Sequence, residues 1–154
     1  MTHRESIEKW TGEKIEKLTS MALVFNHDFN VWNETRKLKI MIKIMIGEDI
    51  TERQEKELED FWSNTGLYYE KSIEEIKKYV KLDKENGNDY VPKKVPGEVK
   101  LFASPTGIHI TRDNDDSPTR LCLLFDYKYD ETGICVMFRD GEIIETGSQD
   151  LLVC

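Results

Sequence analysis

Leu121-Cys-Leu-Leu-Phe-Asp-Tyr-Lys-Tyr-Asp-Glu-Thr-Gly-Ile-Cys-Val-Met-Phe-Arg-Asp-Gly-Glu-Ile-Ile-Glu-Thr-Gly147 contains three apolar runs, two glycine turns and a dense set of carboxylates. Asp140-Gly141 lies between Ile134-Cys-Val-Met-Phe138 and Glu142-Ile-Ile144, and a two-residue hairpin turn needs the positive backbone dihedrals that Asp and Gly accept. Asp140 is therefore read as turn chemistry. The stretch is an antiparallel meander, and the rest of the chain is read against it.

Upstream, Lys37-Leu-Lys-Ile-Met-Ile-Lys-Ile-Met-Ile46 puts Leu38, Ile40, Ile42, Ile44 and Ile46 on one face at period two, with Lys37, Lys39 and Lys43 opposite. That is a half-buried strand. The lysines read as a solvated face and an edge guard, with a basic binding stripe as the other reading. Met21-Ala-Leu-Val-Phe25 reads as a further strand, and Asn26-His-Asp-Phe-Asn30 as a turn. Before it, Glu5/Lys9 and Glu13/Lys17 have helical i,i+4 spacing interrupted by Thr11-Gly12.

Thr51-Glu-Arg-Gln54 has the form of a capping box and predicts a helix start. Leu58, Phe61 and Trp62 make the first apolar stripe, Ser63-Asn-Thr-Gly66 breaks it, and Tyr69, Ile73, Ile76 and Val80 restart it to about Leu82. After a connector of turn formers stiffened by Pro92 and Pro96, strands are expected at Val99-Lys-Leu-Phe102 and Ile108-His-Ile110, ahead of the meander. His109 should face away from its isoleucine neighbours. The fold expected is α+β: an antiparallel sheet of five or six strands, packed on one side by the helical pair of residues 51 to 82.

The chain has 154 residues, 38% hydrophobic and 34% charged, which suits a single domain with a modest core. Its formal net charge is −8, and residues 113 to 150 hold ten acidic side chains against Arg120, Lys128 and Arg139. Such a field repels phosphate backbones and favours cationic partners, so direct nucleic-acid binding is disfavoured. No run approaches a membrane span and no amino-terminal apolar block resembles a signal peptide, which makes a cytoplasmic protein the expectation. The three cysteines, Cys122, Cys135 and Cys154, lack zinc-site spacing. Cys122 and Cys135 read as small buried hydrophobes, and a disulfide between them requires that they pair across strands.

Chemistry has few carriers. Asp126, Asp130 and Glu131 lie where one predicted strand ends and the next begins at Gly133. Carboxylates converging there would bind a divalent cation, activate water or receive a cationic partner; scattered, they cap a turn and meet solvent. Asp113-Asn-Asp-Asp116 lacks the glycine and distal glutamate of a calcium loop. With no nucleophile elbow, phosphate loop or zinc helix, an enzyme would have to gather His109, His27, Asp126 or Asp130 from distant positions.

The chain resembles a widespread bacterial family, a domain of unknown function. The resemblance covers roughly residues 38 to 152 and rests on Ile50-Thr-Glu-Arg-Gln-Glu-Lys-Glu-Leu58, Lys77-Lys-Tyr-Val80, Phe125-Asp126, Tyr129-Asp130-Glu131, Gly133, Val136, Phe138, Gly141, Ile143, Glu145, Gly147 and Gln149-Asp150. Members look like Phe-Asp-x-x-Trp-Asp, often with a His before the glycine. Here Tyr129 stands in place of the Trp and that His is absent, so no role for it carries over. The family has no established activity. Its likeness to domains in toxin-immunity neighbourhoods implies an interaction role.

The functional expectation is a non-enzymatic acidic interaction domain of immunity type, with no cofactor. Asp126, Tyr127, Tyr129, Asp130 and Glu131 would receive a basic protein partner, the tyrosines or nearby apolar groups acting as anchors. The alternatives are a metal-binding or hydrolytic enzyme using Asp126, Asp130 and Glu131, or a module acting through homodimerisation. Residues 1 to 36 form a segment of unassigned structure before a core of residues 37 to 152.

Overall fold

A computed structural model describes residues 1 to 113 and 118 to 152. After helix α1 (His3–Thr11) come strands β1 (Glu16–Thr19), β2 (Ala22–Val31) and β3 (Glu34–Lys43). Helices α2 (Glu52–Ser63) and α3 (Thr65–Glu85) follow, then β4 (Ala103–Ile110), β5 (Leu121–Tyr127), β6 (Asp130–Arg139) and β7 (Glu142–Gly147). The α+β class holds. Among the described residues seven strands stand in chain order across one sheet, more strands than expected.

The pairing is antiparallel except between β3 and β4, which run parallel with Lys39 opposite Gly107 and Met41 opposite His109. Parallel neighbours need a long crossover, and α2 with α3 supplies it. The capping box at Thr51 forms as its residues dictate: the Thr51 hydroxyl accepts from the Gln54 N–H, and the Gln54 side chain accepts from the Thr51 N–H. Gln54 then donates to the carbonyls of Lys43 at 2.6 Å and Thr111 at 3.1 Å, so one buried amide ties the crossover to the ends of both parallel strands.

The three α-helices of the described residues lie on one sheet face. There Phe25, Phe29, Leu38, Ile40, Ile108, Leu123, Phe125, Val136 and Phe138 meet Ile7, Leu58, Phe61, Tyr68, Tyr69, Ile76 and Val80. Burial of this apolar surface is the main stabilising term. The other face is divided. Over β5 and β6, Cys122, Cys135 and Met137 are buried beneath Leu151 and Leu152 of the 3-10 turn Gln149–Leu152, whereas over β2 and β3 it is open, exposing Asn26, Asp28, Asn30, Lys37 and Lys39.

Several expectations are corrected. Residues 26 to 30 continue β2, because Phe25, Phe29 and Val31 all point inward. The turn lies at Trp32-Asn33, whose positive φ values of 51° and 65° are held by the Trp32 ring stacking on Phe125. The Glu13/Lys17 spacing belongs to a chain that leaves α1 at Gly12 and enters β1. Ile46 lies past the end of β3 and is 71% exposed. Residues 99 to 101 form a 3-10 turn, and the strand starts at Ala103. Cys122 and Cys135 are both free thiols: Cys122 stands opposite Met137 and Cys135 opposite Leu124, so they meet diagonally and not as a facing pair. Residues 114 to 116 of the calcium-loop reading, and Cys154, lie outside the described residues.

Candidate functional site

The β5–β6 connection is a two-residue turn, Lys128-Tyr129, closed by the Tyr127–Asp130 pair. Asp130 Oδ1 accepts from both the N–H and the hydroxyl of Thr132 at 2.9 Å, which fixes the start of β6. The Lys128 N–H donates to the Phe102 carbonyl at 2.9 Å, tying the turn to the segment that leads into β4. Asp126 precedes the turn, exposed, opposite Ser104.

Tyr127 and Tyr129 lie inside the turn and not on its surface. They are only 6% and 9% exposed. The Tyr127 ring packs edge-on against Tyr79 and Tyr129, and Tyr129 stacks on Phe102. Period-two alternation from the inward Phe125 carries Tyr127 inward as well. The Tyr127 hydroxyl donates to Asp83 Oδ2 at 2.8 Å, and its pKa is pushed up by burial and by that bond to a carboxylate. Asn88 donates to the same Asp83 oxygen at 2.7 Å and to the Tyr129 carbonyl at 3.3 Å. The tyrosines thus clamp the turn to the end of α3.

Two grooves flank this turn. One, about 730 Å³, is lined by Asp83, Asn88, Tyr90, Lys128, Asp130 and Glu131, among others. The other, about 460 Å³, includes Lys100, Leu101, Asp126, Lys128, Asp130 and Glu131. Lys128, Asp130 and Glu131 line both grooves and form the ridge between them, and the linings together carry Asp83, Asp126, Asp130 and Glu131 against Lys100 and Lys128. Tyr90 is 83% exposed and Leu101 is also exposed, giving apolar surface beside the carboxylates.

The other residues singled out by sequence lie elsewhere. His109 is on the sheet face away from the helices, between Met41 and Cys122, and burial with the nearby Lys43 lowers its pKa. The His27 ring packs on Trp62 and Phe29 at the helix-covered face. Neither joins Asp126 and Asp130 in a groove. Among the described residues no three His, Cys, Asp or Glu side chains are grouped so as to hold a metal ion. Asp140 sits in the expected two-residue turn with φ 53°. It takes an Arg53 guanidinium bond at 2.6 Å, and its N–H donates to Glu57 at 3.1 Å.

Sequence reading missed Asp83, Asn88 and Tyr90. An aromatic residue inside a polar turn-forming connector was the one available signal for Tyr90, and nothing local marks Asp83 as the partner of Tyr127. It also missed Glu57, which is completely buried although Gln54, Glu57, Leu58 and Phe61 show the i, i+3, i+4, i+7 spacing of one helix face.

A family model described as a domain of unknown function, DUF6985, matches residues 4–153. No curated protein and no solved structure matches the chain.

Proposed function

Because the chain belongs to the DUF6985 family, to which no activity is attached, we propose from its own geometry that it is a non-enzymatic protein-interaction domain whose β5–β6 turn receives a basic partner. The carrying observation is the ridge of Lys128, Asp130 and Glu131 between two grooves, net acidic with Asp83 and Asp126 in the linings, backed by the buried tyrosines and bordered by exposed apolar groups. Asp126, Asp130 and Glu131 supply the field that steers a cationic surface inward. Tyr127 and Tyr129 hold the ridge in position, and Tyr90 and Leu101 take the anchoring role. The immunity reading follows: a bacterial cytoplasmic protein covering the basic surface of a toxin.

The test is capture from extract of the native cell on immobilised protein, comparing wild type with Asp126→Lys/Asp130→Lys at low and high salt. A basic protein retained by wild type at low salt, released by salt and lost on charge reversal supports the reading. Capture insensitive to both salt and charge reversal overturns it.

A further inference from the structure

Lys39, between Lys37 and Lys43, does not guard an edge. Among the described residues β3 is the third of seven strands; it pairs with β2 along its whole length and with β4 over Lys39 to Ile42, so Lys39 stands in the middle of the sheet, and Lys37 and Lys43 lie just beyond the two ends of the β4 ladder. Edge protection, the ordinary reason for lysines on a strand, is removed as an explanation at Lys39. Among the described residues the face of the three lysines is also the uncovered one: the helices pack on the opposite side, and the 3-10 turn Gln149–Leu152 lies over β5, β6 and the end of β7.

The charge on this face is mixed at one end, where Asp28 stands opposite Lys37 and Glu16 lines the same groove, and wholly cationic from Lys39 to Lys43. Lys37 and Lys39 are exposed and Lys43 is half-buried, with Met41 between Lys39 and Lys43. Across β2 they face Asp28, Asn26 and Ala22, and on the β4 side Lys39 faces Gly107, whose backbone lies close against the Lys39 carbonyl. Among the described residues no ion pair engages any of the three ammonium groups. Met41, Val24 and the His109 ring form a partly covered floor in the next row across the strands. In a chain of net charge −8, this is a cationic stripe set against the overall sign.

We propose that this open half of the sheet is a second docking surface, separate from the β5–β6 turn, and that its occupant is an extended acidic segment of a protein partner. Residues two apart on a strand lie about 7 Å apart, and carboxylates on alternate residues of an extended peptide repeat at that distance. Lys37 and Lys39 match this spacing, and Lys43 continues the line beyond Met41. A second copy docked face to face would set lysine against lysine, which opposes a symmetric dimer here. A nucleic acid would bring a far denser line of charge against an acidic molecule.

Fluorescence anisotropy with a dye-labelled peptide of alternating Glu and Thr, about ten residues long and so spanning the strand, tests the proposal against a single-stranded oligonucleotide of similar reach. The wild-type chain should bind the peptide saturably at low salt and in preference to the oligonucleotide. Lys37→Gln/Lys39→Gln should weaken binding about tenfold, Lys37→Arg/Lys39→Arg should restore it, and the same loss of charge at the exposed Lys93 and Lys94, Lys93→Gln/Lys94→Gln, should leave it intact. The lysine variants change exposed positions, and an unaltered melting transition verifies their fold. Absence of saturable binding to wild type, equal binding by the Gln variant, or preference for the oligonucleotide would overturn the proposal.

Discussion

Glu55 and Glu57 stand two residues apart on α2 and titrate in opposite senses. Burial works to raise the Glu55 pKa, but Ser6 Oγ at 2.6 Å, Trp10 Nε1 at 3.0 Å and His3 Nδ1 at 2.6 Å surround its carboxylate and hold the net value below the ordinary one. A depressed folded pKa contributes stability above the unfolded pKa and loses it as pH falls through the folded one. Glu55→Gln should therefore cost about 1 to 2 kcal/mol at neutral pH, and the difference from wild type should vanish in strongly acid buffer. Glu57 is raised: burial outweighs the Asp140 N–H and the Arg53 guanidinium, and its Oε2 has no hydrogen-bond partner among the described residues. A raised carboxyl favours the folded state as pH drops through it, so Glu57→Gln should flatten stability between the ordinary carboxylate range and neutrality while keeping an acceptor for Asp140. Urea melts across pH on both variants check the two signs. Matching pH profiles for the two variants would refute the assignment.

At the scale of elements, the parallel β3–β4 pair is the most constrained junction. A Cβ at Gly107 would lie 2.8 Å from the Lys39 carbonyl oxygen, inside the ladder. At Gly141 the hindrance is conformational: φ is 78°, and a Cβ would meet nothing closer than the Tyr68 hydroxyl at 3.8 Å. Gly141→Ala should cost about 1 kcal/mol for the left-handed backbone. Gly107→Ala should cost more, about 2 to 3 kcal/mol, as overpacking against main chain. Thermal melts of the two rank them, and a smaller loss at Gly107 would contradict the register. The elements readable in advance were those governed by local rules, such as the Thr51–Gln54 cap, the Asp140-Gly141 turn and the alternation of Leu38, Ile40 and Ile42. Trp32-Asn33 was not, because stacking on Phe125 overrides the usual turn composition. The parallel pairing was not either, since neither β3 nor β4 carries a local mark of its neighbour's direction.

Across the whole molecule, the acidic ridge lies at the β5–β6 end of the sheet, the lysine stripe lies on the sheet's open face, and the helices cover the other face. Sequence identified the ridge carboxylates, because acidic residues cluster visibly between two strand patterns. It did not reveal that Tyr127 and Tyr129 turn inward or that Asp83 and Asn88 brace them, since those contacts join residues more than 40 positions apart. The same gap hid the meaning of the lysines, whose role depends on where β3 sits in the sheet. The proposed recognition is tested most directly by the association rate of the captured basic partner with wild type and with Asp130→Lys/Glu131→Lys as salt is raised. Electrostatic steering predicts a wild-type rate that falls with salt and a variant rate about tenfold lower at low salt, the two converging at high salt. Equal, salt-independent rates for the two proteins would contradict it.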